Sequence, residues 1–95
     1  MESILVLEDD ENYRGTLADT LGDQGYEVVE AAGAQEAIRL AEQRPFHLIL
    51  SDVRMAGPID GVGAIEQIKK HRPHIRSIVL TGYTDQDVPL RAAQV

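Results

Sequence analysis

Four polar residues close apolar runs in this chain. Glu8 and Asp9 follow Ile4-Leu5-Val6-Leu7, Asp52 follows Phe46-His47-Leu48-Ile49-Leu50-Ser51, and Thr81 follows Ile78-Val79-Leu80. Short continuous apolar runs read as strands buried on both faces. Strands that each finish on a carboxylate or hydroxyl place one polar site at the common edge of a parallel sheet, where such sheets hold their ligands. With the first and third strands as neighbours, Glu8, Asp9 and Asp52 converge, and three carboxylates in a partly dry site repel one another. A hard divalent cation relieves that repulsion. Mg²⁺ suits carboxylate oxygens, keeps several waters and takes remaining ligands from phosphoryl oxygens. The chemistry implied is Mg²⁺-assisted handling of phosphate.

The neighbouring polar residues carry plainer readings. Asp10 reads as a helix N-cap rather than a ligand. The Thr81 hydroxyl suits an anionic oxygen, against the alternative of a β-branched residue filling a strand end. Gly82 allows close backbone approach or simply makes a turn. Lys69 and Lys70 read as a solvated helix face, and Arg14 as a surface charge within reach of the acidic rim. His47, His71 and His74 are scattered at element ends, and none is assigned a catalytic role.

The elements that must position these residues alternate. Ser3 to Glu8 is the first strand. Glu11 to about Gln24 is a helix with an apolar stripe of Tyr13, Leu17 and Leu21, and Gly25 follows where a left-handed cap is wanted. Tyr26 to Ala31 is a second, partly alternating strand, expected at an edge. Ala34 to Gln43 is a second helix with Ala34, Ala37, Ile38 and Ala41 on one face, and Pro45 stops it. Phe46 to Asp52 is the third strand. A loop rich in turn formers, Met55 to Gly61, leads to a helix over Val62 to His71 with Val62, Ile65 and Ile68 inward. Ile75 to Leu80 is the fourth strand, and Thr84 to Val95 is expected to begin a fourth helix with Asp85 and Asp87 in its first turn. Alternating strands and helices joined by short loops argue for a parallel sheet with helices on both faces.

Composition narrows the function. Ninety-five residues make one domain, with no internal repeat. A net charge of −7 argues against a phosphate-backbone binder, so no direct nucleic-acid contact is expected. With no cysteine there are neither disulfides nor thiolate metal ligands. The longest apolar runs are far short of a membrane span. Met1-Glu2-Ser3 leads straight into a strand without a basic n-region, and a cytoplasmic location is the default.

The string Ile4 to Asp10, with Arg14 four residues on, resembles the opening of the response-regulator receiver domains of two-component signalling (the CheY-like superfamily). Leu48 to Met55, followed by Asp60-Gly61, is similar to that family's phosphorylation segment, and Ile78 to Gly82 to its fourth strand. The resemblance runs over essentially the whole chain. It implies an α/β, flavodoxin-like, three-layer fold with a parallel sheet of order 2-1-3-4-5. It also implies that Asp52 accepts a phosphoryl group from a sensor histidine kinase or phosphotransfer protein. Glu8 and Asp9 match the pair that binds Mg²⁺, the backbone carbonyl of Arg54 a further metal ligand, and Thr81 the hydroxyl that turns toward the phosphoryl group. An output domain in the full-length parent is the implied recipient of the signal.

Two departures stand out. The loop from Met55 to Gly61 is one residue longer than usual, with Ala56 where proline is common. The chain, read as a receiver domain over 1–95, stops before the family's fifth strand and fifth helix, and no residue matches the lysine that strand carries. The expected sheet is therefore 2-1-3-4. The fourth strand then becomes an unpaired edge and one sheet face is covered by the first helix alone, which invites homo-oligomerisation across the exposed side. Two other functions compete with the phosphoacceptor reading. One is a receiver-like interaction module that no longer phosphorylates. The other is a Mg²⁺-dependent phosphohydrolase, disfavoured because Arg54 stands where such enzymes place a second Asp. Apart from self-phosphorylation and dephosphorylation, no enzymatic activity is expected.

Overall fold

The computed structural model describes residues 2–52, 59–80 and 92–94. Its elements are β1 (Ser3–Leu7), α1 (Glu11–Asp23), β2 (Glu27–Ala31), α2 (Ala34–Gln43), β3 (Leu48–Asp52), α3 (Gly61–His71), β4 (Arg76–Leu80) and β5 (Ala92–Gln94). The sheet runs β2-β1-β3-β4-β5. The first four strands are parallel, in the order expected. Every residue of β1 is buried, as a central strand flanked on both faces requires. β2, at the edge, has exposed glutamates and half-buried valines before the buried Ala31.

The two faces are filled differently. Leu5 and Leu7 of β1, Ile49 of β3 and Val79 of β4 pack against Ala34, Ala37 and Ala41 of α2 and Ala64, Ile65 and Ile68 of α3. Small alanines let α2 approach the sheet closely, while α3 brings the bulk. α1 supplies no fully buried residue, and Tyr13 of its expected stripe is 43% exposed. Beside α1, a groove of about 820 Å³ is lined by Ile4, Leu21, Leu48 and Ile78 among others.

Helix ends follow local chemistry. The Asp10 carboxylate accepts from the Tyr13 N–H at 3.0 Å, so Asp10 is the N-cap of α1. Asp60 caps α3 in the same way, accepting from the Gly63 N–H at 2.8 Å. Gly25 has φ of +98°, the left-handed conformation expected after α1. Arg44 ends α2 in an extended conformation that Pro45 then enforces.

Two expectations need correction. Ala92–Gln94 is not the continuation of a fourth helix: it is a strand, pairing antiparallel with Ile78–Leu80. Hence β4 is not left bare along these residues. An edge strand is a row of free N–H and C=O groups, and the Ala-Ala-Gln segment satisfies part of that row. Its antiparallel direction differs from the parallel fifth strand implied by the family resemblance. The remainder of the expected helix, 84–91 and Val95, lies outside the described residues. The second correction concerns Lys69, expected to be solvated. It is half-buried, and its Nζ donates to the Ile75 carbonyl at 3.1 Å. Among the described residues, no helix is long and apolar enough to cross a membrane.

Candidate functional site

The register of β1 against β3 builds the site. Leu7 pairs with Ser51, so the next residue of each strand, Glu8 and Asp52, emerge side by side at the carboxyl edge of the sheet. Glu8 is 2% exposed, an unusual position for a carboxylate. Its Oε2 accepts from the Asp10 N–H at 2.9 Å, whereas Oε1 is buried without a hydrogen-bond partner. Burial pushes the Glu8 carboxyl up to about 7, the Asp10 N–H opposes this, and contact with the Asp52 and Asp9 carboxylates pushes the same way as burial. The three acids named from sequence are thus neighbours: Glu8 inside, Asp52 half-buried at the end of β3, Asp9 exposed at the start of the turn.

Asp52 is braced from behind. Ser51, fully buried, donates its hydroxyl to the Asp52 carbonyl at 3.1 Å. Gly61, first residue of α3, lies against the same peptide, where a Cβ would fall on the Asp52 carbonyl oxygen and Ser51 Oγ. No side chain larger than hydrogen fits there. In the sequence Asp60-Gly61 is legible as turn chemistry, but the close approach is visible only once α3 is laid on β3. The opposite wall is Arg14. Its Nη1 donates to the Glu8 carbonyl at 3.0 Å and its Nε to Glu30 Oε1 at 3.1 Å. The Arg14 side chain is 15% exposed, so it is not the free surface charge expected.

Thr81 and Gly82, the Arg54 carbonyl and the loop from Met55 to Pro58 lie outside the described residues. Among the described residues no three His, Cys, Asp or Glu side chains form a ready-made metal cage. Mg²⁺ does not require one, since it binds through one or two carboxylates plus water and phosphate oxygens. A buried carboxylate oxygen without a partner, beside a second carboxylate, fits such a cation.

A family profile of the response regulator receiver domain matches residues 4–95. The chain belongs to that family. It is a receiver module of the two-component type, the phosphoacceptor class of regulatory domain. It is 34% identical over 89 residues to the transcriptional regulatory protein ZraR of Escherichia coli O157:H7, an alignment covering 94% of this chain and 20% of that protein. The response regulator TrrA of Thermotoga maritima, solved in complex with Mg²⁺ and BeF, superposes with a TM-score of 0.81 at 32% identity, covering 88% of this chain and 72% of the other. A response regulator from Burkholderia pseudomallei, solved with a phosphorylated aspartic acid, a calcium ion and citrate, superposes with a TM-score of 0.80 at 34% identity, covering 88% and 49%. The chain spans about a fifth of the length of the first curated relatives it matches.

Proposed function

We propose that Asp52 is the phosphoacceptor of this receiver module and that Glu8 and Asp9 help to hold Mg²⁺ beside it. The observation that carries this reading is the buried Glu8 carboxylate, with one oxygen unpartnered, set next to Asp52 by the in-register pairing of β1 and β3. An Asp52 carboxylate oxygen attacks the phosphorus of a phosphohistidine or acyl phosphate. The bond to the donor breaks, and an acyl phosphate forms on Asp52. When bound, the cation neutralises charge on the transferred oxygens. Glu8, ionised, supplies negative charge to hold that cation, Asp9 completes the acidic rim, and Ser51 and Gly61 fix the peptide that carries the nucleophile. The Arg54 carbonyl as a further metal ligand and Thr81 as the hydroxyl facing the phosphoryl group extend the reading by family likeness.

The donor is a sensor histidine kinase or phosphotransfer protein in the cytoplasm. The recipient is an output domain of a longer parent, as the name of the relative ZraR suggests for that protein. The module has no turnover activity beyond gaining and losing its own phosphoryl group. Incubation with Mg²⁺ and acetyl phosphate, followed by intact-mass measurement, tests this. A gain of one phosphoryl group that is lost in Asp52→Asn supports it. No gain, or a gain that persists in Asp52→Asn, overturns it.

A further inference from the structure

Arg14 sits one turn into α1, yet its guanidinium points back toward the sheet. One arm donates to the Glu8 backbone carbonyl at 3.0 Å, and another to the Glu30 carboxylate near the end of β2 at 3.1 Å. The Glu8 N–H is meanwhile taken by the Ala31 carbonyl at 3.1 Å. The peptide groups on both sides of Glu8 are therefore held by the end of β2, one directly and one through Arg14. The Glu8 carbonyl belongs to the Glu8–Asp9 peptide, so fixing it fixes the direction in which both acids leave the backbone.

We infer that Arg14, clamped by Glu30, is a positioning residue that holds the Glu8–Asp9 peptide in the orientation required for cation binding. The inference rests on the function proposed above and adds residues to that site. It makes a prediction opposite in sign to simple electrostatics. A guanidinium this close to an acidic site repels a cation, so its removal by charge alone tightens Mg²⁺ binding. If Arg14 works by orientation, its removal weakens binding, on the scale of outer-shell partners of metal ligands, about tenfold. Lysine keeps the charge but lacks the fork that reaches two acceptors, so it does not restore the site.

The test is Mg²⁺ titration by calorimetry of the whole chain as wild type, Arg14→Ala, Arg14→Lys and Glu30→Gln, with far-UV circular dichroism on each to establish folding. The expected result is a dissociation constant raised about tenfold in Arg14→Ala, raised similarly in Arg14→Lys, and raised less in Glu30→Gln, which weakens the clamp to a hydrogen bond without an ion pair while leaving Arg14 in place. Unchanged or tighter binding in folded Arg14→Ala or Arg14→Lys overturns the positioning role and leaves the proposed function standing. Should Arg14→Ala fail to fold, Arg14→Lys and the exposed Glu30→Gln decide: wild-type affinity in both overturns the inference. A wild type that binds no Mg²⁺ overturns the proposed function and the inference together.

Discussion

The two ends of the sheet both close off backbone groups with side chains, but among the described residues only one of them leaves a buried side-chain oxygen unpartnered. At the amino ends of the strands, side chains close off the backbone. His47 Nδ1 accepts from the Ser3 N–H at 3.0 Å, Lys69 donates to the Ile75 carbonyl, and Arg72 reaches from the end of α3 to the Ala41 carbonyl at 2.9 Å. At the carboxyl ends, a carboxylate is buried with one oxygen unpartnered and with two like charges beside it. Buried polar groups are ordinarily satisfied, and an unsatisfied one costs roughly 1–3 kcal/mol. The amino end is built for stability. The carboxyl end keeps an unfavourable arrangement, as functional sites do, and under the proposed function a bound cation would relieve it.

The largest effect that bears on this contrast is chemical. Asp52→Asn abolishes phosphoryl incorporation from acetyl phosphate by intact-mass measurement and, by removing a like charge, also moves the Glu8 carboxyl down from about 7, readable by NMR titration. A Glu8 titration unaffected by the substitution would break the picture of one electrostatic unit.

Next in size is pH dependence. The Glu8 carboxyl sits above its ordinary 4.5, at about 7, so between these values the folded chain holds a proton that the unfolded chain has released. Its contribution to stability is complete below pH 4.5, falls as pH rises toward 7, and is flat above. The loss is about 3 kcal/mol at full scale. Urea unfolding of wild type against Glu8→Gln across pH 4.5–8, without divalent cation, isolates it: the stability advantage of Glu8→Gln grows through this window. A constant difference would mean that Glu8 is not desolvated.

Gly61→Ala is expected to cost about 2 kcal/mol, because the added methyl meets the Asp52 peptide rather than a yielding side chain. The measurement is a denaturant midpoint. At the other end of the sheet, His47→Ala removes one acceptor from a buried strand residue and costs roughly 1 kcal/mol. It leaves Mg²⁺ affinity unchanged by calorimetry. A change in affinity there would show that the two ends are coupled.

Much of this was legible in the chain. Continuous aliphatic runs gave β1, β3 and β4 within one or two residues, the alanine-rich stripe gave α2 over its full length, and Asp10 and Gly25 marked the ends of α1. The placement of Glu8 and Asp52 followed from one assumption, that β1 and β3 are neighbours, and the register bears that assumption out. Three features were not legible. The Arg14 clamp requires Glu30, sixteen residues away, and only the pairing of β1 with β2 brings it near. The Gly61 contact is a packing fact that turn chemistry does not announce. Ala92–Gln94 has no strand-forming bias, and the free edge of β4 overrides local propensity there.

The seating of Gly61 on Asp52 has a mechanical consequence. The peptide of the proposed acceptor residue lies directly against the first turn of the neighbouring helix, with only the Ser51 hydroxyl sharing the contact. A displacement of that strand end meets packed atoms of the eleven-residue α3 rather than a void, and packed interiors transmit strain. The charge-bearing tip of β3 and the first turn of α3 are therefore mechanically joined at a residue whose side chain is a single hydrogen atom.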